Sequence, residues 1–69
     1  MSKTMRDSII KAGIAHYEAK IQFHQVNLEN LLHNSVGVAE HPDLMETVEK
    51  ELTQMAHYRD LLEELKRFD

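Results

Sequence analysis

Between Lys3 and His33 the apolar residues recur at a helical period: Ile10, Ile14, Tyr17, Ile21, Leu28 and Leu31 step by alternating fours and threes, with His24 filling one step. Such an a/d seam predicts a long helix over about residues 3–33 that packs against another helix in coiled-coil fashion. Plotted at ~100° per residue, Met5, Ala12, Ala15, Ala19, Phe23 and Val26 fall on a second strip roughly opposite the seam. One partner helix cannot cover two opposite sides. Because three of these residues are alanines, another helix can approach closely there, which makes Ala12, Ala15, Ala19, Phe23 and Val26 a candidate subunit interface. The plainer alternative is a half-solvated strip of good helix formers.

A second helix is expected over about residues 43–67. Its apolar face comprises Leu44, Val48, Leu52, Met55, Leu62 and Leu65, flanked by Met45, Ala56, Tyr58 and Leu61. This face drifts around the helix, as a repeat near 3.5 does on a helix of period 3.6, and left-handed wrapping follows. Glu46 with Lys50 and Glu63 with Arg67 have the i,i+4 spacing of exposed helical ion pairs. Two helices of similar length suggest an antiparallel hairpin. Gly13 is the one weak helix former in the first helix, and close approach by another helix, a tolerated glycine or a mild kink would each account for it.

The connector, about residues 34–42, holds the chain's only proline. Asn34 or Gly37 suits the left-handed position that ends a helix. Pro42 suits a first helical position or the residue before a cap, and Asp43 with Glu46 has capping-box spacing, so the cap is His41 or Asp43. Val36 and Val38 are expected to fold inward and close the end of the bundle.

The stretch Asn34-Ser35-Val36-Gly37-Val38-Ala39-Glu40-His41-Pro42-Asp43, with an amphipathic helix on each side, resembles the connector of small helical-hairpin proteins of unknown function encoded by tailed phages, marine ones especially. Their pattern reads Asn-Pro-Val-Gly-(Val/Ile)-Gly-Glu-His-Pro-Asp, from which this chain departs at Ser35 and Ala39. The resemblance implies a phage or phage-like origin, and it brings no activity and no catalytic residues.

Composition narrows the remaining chemistry. A chain of 69 residues rarely draws more than ~3–5 kcal/mol from its own core, and without cysteine neither a disulfide nor a thiolate zinc site can add to that. Oligomerisation is the remaining route. No apolar run approaches a membrane span, and the N-terminal stretch lacks the apolar centre of a signal peptide, so a cytoplasmic protein is expected, in the host cytoplasm if phage-encoded.

The net charge of −4 is uneven. Residues 1–39 carry four basic and three acidic side chains, and residues 40–69 carry four and nine. The acidic half makes Glu49, Asp60, Glu63 and Glu64 a candidate face for a protein partner, against the ordinary reading of a solvated helix surface.

Five histidines invite a test for metal. None has glutamate three residues before it, and no two are spaced three or four apart, so no single helix offers a ligand pair. Only His33 and His41, flanking the connector with Glu40 or Asp43 nearby, remain as metal candidates. His24 differs in occupying the seam, where it should lie opposite the turn around Leu52, near Glu51 and Met55. A polar seam residue must find a partner and can fix register, and a histidine there is also a candidate pH-sensitive assembly switch.

No phosphate-binding glycine loop, nucleophile elbow or cysteine nucleophile is present, and a two-helix hairpin has no deep pocket in which to perturb its carboxylates. No enzyme activity and no cofactor are expected. Lys3, Arg6, Lys11 and Lys20, interleaved with Asp7 and Glu18, make nucleic acid an unfavoured partner, although a symmetric RNA-binding dimer could assemble a basic stripe from two copies. The chain therefore reads as an all-α helical hairpin that associates into a four-helix-bundle-type homo-oligomer, a homodimer most simply. Its expected role is that of a non-enzymatic adaptor or inhibitor.

Overall fold

The computed structural model describes residues 4–34 and 42–69. Two helices, α1 (Met5–His33) and α2 (Pro42–Lys66), pack against each other, and there is no strand among the described residues. They run antiparallel, since Tyr17 meets Tyr58 and His24 meets Glu51 while Arg6 reaches Phe68. The result is a helical hairpin, a rod of 57 × 16 × 11 Å.

Local chemistry sets the helix ends. Thr4 stands in extended backbone (φ −83°, ψ 162°), and its hydroxyl oxygen accepts the Asp7 backbone N–H at 3.1 Å. This N-cap satisfies one of the donors that the first turn leaves unpaired, and Asp7 adds favourable charge at the positive end of the helix dipole. Thr4→Ala is expected to lower stability by ~1 kcal/mol. A thermal melt unchanged by that substitution would show that the cap carries no weight.

At the other end Asn34, one of the two residues expected to suit a left-handed position, is not in that region, having φ −106° and ψ 18°. Its backbone N–H donates to the Asn30 carbonyl at 3.0 Å, and its side-chain amide donates to the same carbonyl at 2.9 Å and to Asn30 Oδ1 at 2.6 Å. An amide side chain thus does the work expected of an unusual backbone. α2 begins at Pro42, so the proline takes the first helical position and Asp43 lies inside the first turn rather than capping it. The inward folding of Val36 and Val38, the glycine stop at Gly37 and a cap at His41 lie outside the described residues.

Packing follows the sequence period on α1. Ile10 is buried, and Ile14, Tyr17, Ile21, His24, Leu28 and Leu31 are all partly buried. On α2 the covered series is Leu44, Val48, Glu51, Met55, Tyr58, Leu62 and Leu65, again alternating fours and threes, with Leu61 beside it. Leu52, expected on this face, is 49% exposed, whereas Tyr58 lies on the seam rather than its flank. The reason is register. A strict heptad continued from Leu44 and Val48 arrives at Glu51, and His24 supplies the partner that makes a glutamate tolerable there.

Gly13 marks a close approach: a Cβ at that position would lie 2.6 Å from Leu65 Cδ2. The missing side chain leaves room for the tip of Leu65, a flexible group that could turn aside for a methyl. The expected i,i+4 ion pairs do not form among the described residues, and Arg67 instead reaches Glu64, with 3.9 Å between Nη1 and Oε1. Both groups are well exposed, so the pair adds little.

Candidate interaction surface

With α2 seated on the seam, the opposite side of α1 stays open. Met5, Ala12, Ala15, Ala19, Phe23 and Val26 are all exposed, Phe23 by 57%. Ile9, exposed and absent from the strip as drawn from sequence, belongs to it. It lies one helical turn from Met5, and spacing by fours and threes from Met5 would have found it. At the open end of the hairpin, Ile9 and Ile10 join Arg6, Leu65 and Phe68 around a shallow apolar groove. There the Arg6 Nη2 donates to the Phe68 carbonyl at 2.7 Å, tying the segment after α2 to the start of α1.

The seam contains one polar layer. His24 Nδ1 donates to Glu51 Oε2 at 3.0 Å, and the two side chains keep only 15% and 16% of their exposure. The Tyr58 ring stacks on the imidazole (centroids 6.0 Å, planes 15° apart), Tyr17 lies 6.0 Å beyond Tyr58, and Phe23 meets His24 edge-on at 5.1 Å. His24 therefore has the neighbour expected of it. The pair sits between α1 and α2, on the side away from the exposed strip. It holds the hairpin together and does not line the candidate interface.

The other sequence-derived residues do not converge on a chemical site. Glu49, Asp60, Glu63 and Glu64 are all exposed on the outward side of α2. His33 is exposed, and its Nδ1–H donates to the Glu29 carbonyl at 3.1 Å; His41 and Glu40 lie outside the described residues. Among the described residues no three His, Asp or Glu side chains are gathered as metal ligands, and no helix is long and apolar enough to cross a membrane. Lys11 lies on one flank of α1, with Arg6 and Lys20 on the other, and Lys3 is outside the described residues.

No protein-family model matches the chain, and no curated protein or solved structure does. The surface must be interpreted from its own chemistry. One feature of it is the uncovered apolar strip of α1, which runs from Met5 to Val26.

Proposed function

We propose that this protein is a non-enzymatic interaction protein, a small adaptor or inhibitor, that forms a four-helix homodimer through the exposed strip of α1. The acidic outer side of α2, with Glu49, Asp60, Glu63 and Glu64, then remains free to meet a basic surface on another protein. One observation carries this reading: α1 is apolar on two opposite sides, and the hairpin covers only one of them. The connector's likeness to phage helical-hairpin proteins fits a small accessory protein of this kind.

The exposed area bounds how strong the association can be. Met5, Ile9, Phe23 and Val26 are each more than half exposed, so covering them gains ~1 kcal/mol or somewhat more per side chain. Two copies together gain on the order of 10 kcal/mol, against an association cost of ~4–15 kcal/mol. At the low end of that cost about 6 kcal/mol remains, so the expected dimer is weak and concentration-dependent, with a Kd of tens of micromolar or above.

Ala19→Glu tests it. The substitution puts a charge in the middle of the strip at a position that the hairpin itself leaves exposed, so helix content should survive while self-association is lost. Sedimentation equilibrium over a concentration series should show the natural chain approaching twice the monomer mass and the variant remaining a monomer. If both give the same mass at every concentration, the proposed interface is wrong.

A further inference from the structure

The chain's two tyrosines meet across the seam. Tyr17 of α1 and Tyr58 of α2 have ring centroids 6.0 Å apart and planes tilted by 33°, within the range of direct ring contact. Neighbouring rings hold both: His24 stacks on Tyr58 and His57 meets it at 5.2 Å, while His16 lies 5.4 Å from Tyr17. Both tyrosines are partly buried, covered enough to be held in place and open enough for a small reagent to reach. We infer that this pair is an oxidative cross-linking site, at which peroxide-derived one-electron oxidants join α1 to α2 through a dityrosine bond.

Each phenol gives one electron to the oxidant and its hydroxyl proton to water, leaving a phenoxyl radical with spin density on the ring carbons ortho to oxygen. Coupling of the two radicals joins a Cε carbon of Tyr17 to a Cε carbon of Tyr58. The hydrogen on each joined carbon then shifts to its oxygen and restores the phenol. The chain loses two hydrogens in all, and one molecule of hydrogen peroxide is reduced to two of water. Radicals that must meet by diffusion couple slowly, whereas the fold holds these two rings in contact, so coupling within the chain outruns coupling between chains.

No disulfide can join the helices, because the chain has no cysteine, and phenol coupling supplies an equivalent link. It closes a loop of about 40 residues, which restricts the unfolded chain far more than the folded one and should raise the melting temperature by ~10 °C or more. Tyr17 sits on the seam, away from the exposed strip of α1, so the link forms whether or not two copies associate.

The test exposes the natural chain, at low concentration, to a photoexcited ruthenium complex with persulfate, a small one-electron oxidant. Mass spectrometry should show monomer that has lost two hydrogens, with dityrosine fluorescence and a digest in which the Tyr17 and Tyr58 peptides are joined. Tyr17→Phe and Tyr58→Phe should each abolish that product, and unfolding in urea should lower its yield on the order of tenfold. Linked dimers as the main product, or oxygen addition to methionine without loss of hydrogens, would overturn the site. So would internal coupling in urea as fast as in the folded chain, because the proximity imposed by the hairpin would then play no part. A linked monomer that melts no higher than the natural chain would overturn the bond's role as a staple.

Discussion

Met55→Ala should leave the chain largely unfolded at room temperature, and Ile10→Ala should do the same. Among the described residues these two are the buried apolar side chains, at 8% and 6% exposure. Truncating a buried isoleucine or methionine to alanine costs ~2–5 kcal/mol, from lost burial and from the cavity left behind. A 69-residue hairpin has only ~3–5 kcal/mol to lose. Each substitution therefore removes most of the total, and helicity followed by circular dichroism at fixed protein concentration should collapse. Concentration must be fixed because dimerisation adds stability by mass action. The control is Leu52→Ala, which removes an apolar side chain of similar size from the same helix at a position 49% exposed. It should cost about 0.5 kcal/mol or less. If Leu52→Ala proved as damaging as Met55→Ala, the register of α2 against α1 would be wrong.

That contrast marks what the amino-acid pattern could and could not convey. The α1 seam was fully legible because one unbroken series of fours and threes admits a single reading, with His24 as its one polar step. α2 was ambiguous after Val48, since Leu52 continues a step of four while Glu51 continues the heptad, and hydrophobicity alone favours leucine. Only the facing helix resolves it, because His24 offers a hydrogen bond that leucine could not use. Helix ends were harder still. Thr4 and Asp7 had the spacing of a cap and went unused behind the apolar period, and Asn34 stopped α1 through its side chain, which no backbone rule anticipates. Of the candidate interface, the alanines, Phe23 and Val26 were legible as a second apolar side. Ile9 was equally legible, one step of four from Met5, and its exposure confirms the place.

The His24–Glu51 pair leads to the second large effect, in the opposite direction. Replacing His24 alone by leucine leaves the Glu51 carboxylate on a largely covered seam without its donor, a loss of ~1–3 kcal/mol. Replacing both by leucine removes the polar layer and lets the seam run apolar from Ile10 to Leu31 and from Leu44 to Leu65, broken only by the tyrosines. Because a covered polar pair that includes a carboxylate returns little of its desolvation cost, the double variant should be more stable than the natural chain by ~1–4 kcal/mol. A double-mutant cycle of thermal or urea denaturation measures this. If the double variant were less stable than the natural chain, the pair would be a net contributor to stability. The retained polar layer then has another role: sliding α2 past α1 by a heptad would part His24 from Glu51. The stabilised variant should accordingly lose uniqueness, giving broadened or doubled amide resonances, or assemblies larger than the natural chain forms. A single sharp spectrum from the double-leucine variant would show that apolar packing alone fixes the register, and that His24 and Glu51 are kept for something else.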